Sequence, residues 1–376
     1  MKGHKHERKP GVWSIVLDLG RDANGKRKQK WVTFYGGERA AQRELNRLLT
    51  ELDAGTFIEP SKQTVAQFLE RWLVDSARTR VSPKTFERYE EIVRKHLIPA
   101  LGTHKLTKLT PQHVQAAHAE ALRNGRRDGK GGLSPQTVLH HHRVLRTALE
   151  QAVRWDALPR NPADRVDKPQ VEDREMEAID ETRMARLFEA LHGKPLYMPV
   201  VIAGCTAMRR GEVLGLRWQD VDLKQGRLVV RQSLQQVSGG RAGLSFKPPK
   251  TKESRRTVEL PTLLVEALIR HRGQQAQQKL LLGPDYENHD LVCCCDDGRP
   301  LVPNQVTQRF GELAKRLDLP IRFHGLRHSH ASQLLKLGAN IKVVSERLGH
   351  SKVATTLNVY SHVLPGMGRA DRKSVV

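Results

Sequence analysis

Five short stretches in the second half of the chain carry side chains suited to a phosphate group: TAMRRGE (206–212), PKTKES (249–254), HGLRH (324–328), LGHS (348–351) and Tyr360. His324 and Arg327 stand three residues apart at the start of an expected helix, so both can reach the same anion. Arg209 follows a long apolar run, which predicts a rigid element that fixes its position. Two guanidinium groups can each donate parallel hydrogen bonds to the non-bridging oxygens of a phosphodiester. They neutralise the charge that gathers there in a pentacoordinate transition state. Such chemistry needs no metal. Taken singly, Arg209, Lys250 and Arg327 read as ordinary contacts to a nucleic-acid backbone. The stretch IKVVSERLGHSKVATTLNVY (341–360) also reads as a helix-turn-helix of a non-enzymatic DNA-binding regulator, with Tyr360 as a packing residue.

The composition supplies a reason to expect a polyanion. Lys and Arg number 64 against 41 Asp and Glu, a formal charge of +23, and nucleic acid is the leading partner for so basic a chain. No apolar run approaches the roughly 20 residues that span a bilayer, so no membrane partner is expected. The basic N-terminus, MKGHKHERKPGVW, has no apolar segment behind it and does not read as a secretory signal; a cytoplasmic location follows. Three of the four cysteines are Cys293, Cys294 and Cys295. If DLVCCC is a short buried strand, Cys293 and Cys295 face one way and Cys294 the other, so they do not jointly grip a metal and read as structural thiols. RNGRRDGKGG (123–132) lacks the spacing of a nucleotide-binding P-loop and reads as a basic loop. His324 and His328 have zinc-pair spacing but no Glu beside the first. His328 and His330 are expected to pack or to support their neighbours, and Tyr35, Tyr89, Tyr197 and Tyr286 to be structural.

Elements to position these groups can be read along the chain. A length of 376 residues predicts two or three domains. WSIVLDLG alternates as a half-buried strand, Asn24-Gly25 suits a tight hairpin and KWVTFY returns; a helix follows from about Glu38 to Ala54. Five basic residues in and around that turn allow a solvated hairpin or a strand pair laid into a DNA groove. From Ser61 to about Asn161 the pattern is helical, with Ser82-Pro83 and Ser134-Pro135 as start signals. The Pro-rich, charged stretch 158–177 marks a boundary. Beyond it, Asp180 caps a helix and PLYMPVVIAGCTAM is apolar all round, as a central buried helix should be. RLVVRQS and RRTVELP read as strands. Helices are expected at about 262–280, 304–317, 326–337, 341–348 and 354–362.

The motifs, in this order and wording, resemble the tyrosine recombinase family, the phage-integrase type of site-specific DNA recombinase. The resemblance runs from about 180 to 364 in the catalytic part. TAMRRGE is similar to the T-G-[LM]-R-x-x-E pattern, with Ala207 in place of the Gly, which implies Arg209 as catalytic and Glu212 as its supporting acid. The hairpin lysine of K-T-x-x-S-x-R wording maps onto Lys250, with Lys252 as the alternative. The remaining motifs imply His324, Arg327, His350 and the nucleophile Tyr360. Tyr360 would form a 3′-phosphotyrosyl link, His324 would take its proton, Lys250 would protonate the departing 5′ oxygen and His350 would donate to the phosphate. The covalent link stores the phosphodiester's energy, so no metal, ATP or other cofactor is implied.

The fold the resemblance implies is mixed α+β and mostly helical. It comprises a small sheet-plus-helix arm-binding domain (1–58), an all-α, SAM-like core-binding domain (61–165) and a mainly α catalytic domain with a small antiparallel sheet (175–376). The implied partners are double-stranded DNA at core and arm sites and a homotetramer on synapsed DNA, with room for an accessory DNA-bending or directionality protein. The implied role is integration or excision of a phage or other mobile element by a bacterial, nucleoid-associated enzyme. A type IB topoisomerase shares the chemistry without synapsis.

Overall fold

In the computed structural model, residues 3–21, 25–53, 62–172, 178–237, 243–249 and 254–361 are described. The chain divides into two compact units, residues 1–172 and 173–376. In the first, strand β2 (Val12–Arg21) lies between β1 (Gly3–Lys9) and β3 (Arg27–Tyr35), all antiparallel. The expected alternation sends Ile15 and Leu17 against Leu45 and Leu48 of helix α1 (Glu38–Asp53). Strand β1 was not expected. GHKHERK has no apolar alternation, and it is a strand through its pairing with β2, where Gly3 lies opposite Leu17 and Lys5 opposite Ile15. Asn24 of the expected turn lies outside the described residues.

The helical remainder of this unit starts with α2 (Val65–Trp72), which runs through a π-helical turn (Leu73–Ala77) into α3 (Arg78–Arg80). Helix α4 (Pro83–Ile92) passes through a second such turn (Val93–Leu97) into α5 (Ile98–Leu101); α6 (Pro111–Asn124) and α7 (Pro135–Arg154) follow. The side chains of Thr64, Ser82, Thr110 and Ser134 each accept the backbone N–H three residues on, and Pro opens α4, α6 and α7. Each such cap contributes about 1 kcal/mol, so these helix ends are set locally. Phe68, Leu69, Trp72, Ile92, Leu145 and Leu149 lie in the core.

The second unit begins with α8 (Glu181–Leu191), where Asp180 accepts from the Arg183 N–H at 2.8 Å. Helix α9 (Tyr197–Thr206) is buried on nearly every side, as its unbroken apolar run requires. Then come α10 (Arg210–Leu214), β4 (Val221–Asp222), β5 (Arg227–Val229), β6 (Ser233–Gln236), β7 (Leu244–Lys247) and β8 (Thr257–Glu259). Helices α11 (Thr262–Leu282), α12 (Pro303–Arg316), α13 (Gly325–Lys336), α14 (Ile341–Leu348) and α15 (Val353–Tyr360) complete it. The chain is mixed α+β and mostly helical, as expected.

Two details differ from the sequence reading. RLVVRQS is not one strand: β5 pairs with β4 and β8, while β6 forms a separate ribbon with β7. DLVCCC does not extend as a strand either, because the DDG that follows turns the chain back, with Gly298 donating to Cys295 and Cys295 to Arg299. Leu291 and Cys294 make only single bridges. Among the described residues no His, Cys, Asp and Glu group suits a metal ion, and no helix is long and apolar enough to cross a membrane.

Candidate active site

Arg209 caps α10, and the glycine of the same motif sets how closely that helix approaches β6. A Cβ on Gly211 would lie 2.5 Å from the Ser233 hydroxyl and 2.7 Å from the Leu234 carbonyl. Only glycine permits this approach. Glu212, 4 % exposed, is the acid around which the arginines gather. It accepts from the Arg209 backbone N–H at 2.9 Å and from Arg209 Nη1 at 2.8 Å, and from Arg256 Nη2 at 2.9 Å. Burial alone would raise its carboxyl, but Arg256 and then Arg209 outweigh that and hold it below the usual range. Arg256 also donates to the carbonyls of Arg347 at 2.6 Å and Ser254 at 3.2 Å. The sequence reading assigned Arg256 no role, although it ends the K-T-x-x-S-x-R wording.

Between α9 and α10 the backbone turns through Ala207, at φ +57° and ψ +22°. A left-handed residue with a Cβ costs about 1–2 kcal/mol, which accounts for the glycine in the pattern that this stretch resembles. Here the Ala207 methyl is buried among Leu348, Ala331 and Tyr360. Its carbonyl accepts from Arg327 Nη1 at 2.7 Å.

Arg327, in the first turn of α13, is 2 % exposed. Its Nη2 donates to the Leu348 carbonyl at 2.5 Å and faces His350 Nε2 at 3.1 Å. A guanidinium cannot accept, so His350 Nε2 must carry its lone pair toward Arg327 and its proton on Nδ1, which reaches the Thr356 hydroxyl at 2.9 Å. In this arrangement the donor of His350 is already engaged. Gly349, left-handed at φ +63°, ends α14 and turns its carbonyl to Arg209 Nη2 at 3.2 Å. The LGHS turn therefore ties Arg209, Arg327 and His350 together.

Tyr360, the last residue of α15, is 1 % exposed. Its hydroxyl lies 2.7 Å from His328 Nδ1. Burial pushes the phenol up to about 12, against a smaller lowering by Arg327. The imidazole on the phenol is thus His328 and not His324, the proton acceptor implied by the motif. The two stand one helical turn apart on the same face of α13, with ring centroids 4.9 Å apart. His324, at the open end of the helix, is exposed to solvent. His328 was expected to pack or to support its neighbours, and the neighbour it meets is Tyr360. His330 does pack: its Nδ1 meets the Gly204 carbonyl at 2.9 Å, and Arg347 donates to its Nε2 at 3.0 Å. Lys250 and Lys252 lie outside the described residues, which stop at Pro249 and resume at Ser254.

The electrostatics of this cluster are lopsided. Arg209, Arg256 and Arg327 share the single carboxylate of Glu212 among the described residues. Burial, then Arg209 and Arg256, pull Arg327 down to about 9, which leaves it charged at neutral pH. Burial and then Arg327 bring His350 down to about 4; for His328, burial, then His324 and Arg327, do the same. His324 is lowered by desolvation, Arg327 and Arg209. Burial comes first in each case and the neighbouring guanidinium charge adds to it, so an arriving anion would offset the second contribution. A cavity of about 480 Å³, lined by Arg209, Glu212, Ser233, Ser254, His350 and Thr355 among others, opens beside the cluster.

Residues 177–366 match the model of the phage integrase family. The chain belongs to that family. Within this integrase-family chain, residues 64–121 also match the SAM-like N-terminal domain of phage integrases. A tyrosine recombinase XerC-like protein of Caldanaerobacter subterraneus subsp. tengcongensis is 29 % identical over 371 residues, covering 94 % of this chain and 93 % of the relative. Among solved structures, the Tn1549 transposon integrase (residues 82–397 of that protein) in complex with a circular intermediate DNA superposes with a TM-score of 0.69 at 20 % identity. That match covers 84 % of this chain and 100 % of the other. A lambda integrase tetramer bound to a Holliday junction has a TM-score of 0.55 at 18 % identity, covering 93 % and 95 % of the two chains. The chain is a tyrosine recombinase, an enzyme that cleaves and rejoins DNA.

Proposed function

We propose that Tyr360 is the nucleophile of a site-specific recombination reaction, which integrates or excises a mobile element, and that the Arg209–Arg327–His350 cluster is its phosphate site. The observation that carries the reading is the excess of positive charge beside a buried phenol: among the described residues Arg209 and Arg256 pair with Glu212, Arg327 shares the field of that one carboxylate, and the cluster calls for an anionic guest. Arg327 commits Nη1 to Ala207 and Nη2 to Leu348 and His350. A guanidinium has five N–H donors, so some remain for non-bridging oxygens. Attack by Tyr360 forms the phosphotyrosyl ester and expels the 5′ oxygen. His324 takes the phenolic proton, and Lys250, or Lys252 beside it, gives one to the leaving oxygen. His350 turns its donor from Thr356 to the phosphate. The reverse attack by a 5′-hydroxyl of a partner duplex reseals the strand without metal or ATP.

The division of labour follows the same reading: residues 1–58 for arm sites, 61–165 for one side of the core site and 175–376 for catalysis. A homotetramer on two synapsed duplexes completes the reaction, with room for an accessory DNA-bending protein, in the nucleoid of a bacterial cytoplasm. Binding to outlying sites, measured with and without residues 1–58, checks that division; equal loss at core and arm sites contradicts it.

The decisive experiment uses a nicked suicide substrate carrying the core site. Wild type is expected to form a covalent protein–DNA adduct, and Tyr360→Phe to bind the DNA without forming one. An adduct with the Phe variant removes Tyr360 as nucleophile. Sequence-specific binding by wild type that never yields an adduct favours a DNA-binding regulator.

A further inference from the structure

The contact between Tyr360 and His328 places an imidazole on the phenol oxygen. Oη and Nδ1 are 2.7 Å apart, and the rings are tilted by 44° at a centroid separation of 5.8 Å. Apolar side chains packed in the same cluster are Ala331, Leu335, Val344 and Leu348, and the Arg327 guanidinium and the His324 ring act on the pair as well. His328 is 8 % exposed, and its Nε2 is buried with no partner among the described residues.

This arrangement has a cost in either tautomer. If the phenol donates to Nδ1, the imidazole proton sits on Nε2, where nothing accepts it. If Nδ1 donates instead, the phenolic hydrogen is left without an acceptor among the described residues. A buried polar hydrogen without a partner is disfavoured. Leucine would fill this part of α13 without an orphaned nitrogen, and what it would lack is the bond to Tyr360.

We propose that His328 is a positioning residue for the nucleophile, its Nδ1 holding the Tyr360 oxygen at one point beside Arg327 until the phosphodiester enters. The inference rests on Tyr360 being the nucleophile. His328 neither gives nor takes a proton in the step. It limits the phenol to one rotamer and one distance, so attack starts from a fixed geometry instead of from a rotating side chain.

The test uses the full chain with His328→Leu and His328→Asn on the nicked substrate at saturating DNA. The Asn side-chain oxygen can take the place of Nδ1 and accept from the phenol, but an amide does not act as a base. We expect His328→Leu to slow adduct formation about 10²-fold with unchanged DNA affinity, and His328→Asn to recover to within about tenfold of wild type. A wild-type rate in His328→Leu overturns the proposal. So does His328→Asn being as slow as a folded His328→Leu, because then the imidazole's basicity is needed. Weakened DNA binding in the folded Leu variant also overturns it, by assigning the imidazole to DNA contact. If His328→Leu does not fold, tyrosine labelled with ¹³C at Cζ decides. The Tyr360 signal, assigned through its absence in Tyr360→Phe, should keep its wild-type position in His328→Asn, and a displaced signal is the contrary result. An adduct with Tyr360→Phe overturns the nucleophile assignment as well, whereas failure of the His328 variants alone leaves that assignment standing.

Discussion

Two groups of histidines in this chain look alike by composition and differ in what surrounds them. In the helical part of the first unit, His118 and His142 meet edge to face at 5.3 Å, and all four of their ring nitrogens lack a partner among the described residues. Burial, with a smaller contribution from His142, lowers His118 to about 4; burial and then Lys168 and Arg146 lower His142. In the second unit His350 is likewise brought to about 4, but both of its nitrogens are engaged, by Arg327 and by Thr356. The first pair fills a core at some cost. The second group is built into a field of guanidinium charge that a phosphate would neutralise. A depressed imidazole is therefore no sign of function by itself, and cations stand beside both groups; the ring nitrogens held by Arg327 and Thr356 make the difference.

Replacing Arg327 should break this contrast most strongly. Arg327→Lys keeps a positive charge but cannot serve Ala207, Leu348 and His350 at once, and adduct formation should fall by roughly 10²–10³-fold in a single-turnover assay. A loss of less than about fivefold would show that the fork geometry is dispensable. Glu212→Ala comes next. It leaves Arg256, whose side chain is 6 % exposed, without its carboxylate, and breaking a buried pair costs about 3–5 kcal/mol. Denaturant unfolding of the catalytic unit measures that loss, and an unchanged midpoint would mean that the arginines find other partners.

The smallest effect concerns the helical pair and is visible only with pH. The folded-state value of His118 lies below the value near 6.5 of an unfolded histidine, so the unfolded chain binds more protons in that window. Stability is full above about pH 6.5 and falls as pH drops toward about 4. His118→Leu should flatten this decline, read from urea midpoints across the window, while leaving adduct formation at neutral pH unchanged. An unaltered slope would assign the acid sensitivity to other groups.

The parts legible in the sequence were those encoded within a few residues. Ser82-Pro83 and Ser134-Pro135 start helices because cap and first turn are neighbours in the chain. The apolar run through α9 lies buried at the centre of its unit. Strand β1 was hidden, because a polar strand is recruited by its partner's free edge and not by its own alternation. The β6–β7 ribbon was hidden in the same way, since a four-residue strand carries too little pattern. His328 had one signal available, its position a single turn after His324 on the same helix face. Arg256 had another, as the last letter of the hairpin wording.

By itself the sequence determined the family, the ordered motifs and the excess of basic charge, since each is a matter of residue identity and spacing. Only the tertiary structure decided which groups touch. It placed Arg256 on Glu212 across 44 residues, and His328 on Tyr360 across 32. It set Ala207 in a left-handed turn whose carbonyl orients Arg327. Such pairings arise where α9, α13, α14 and α15 pack together, and helix periodicity gives each helix a face without naming the face it will meet.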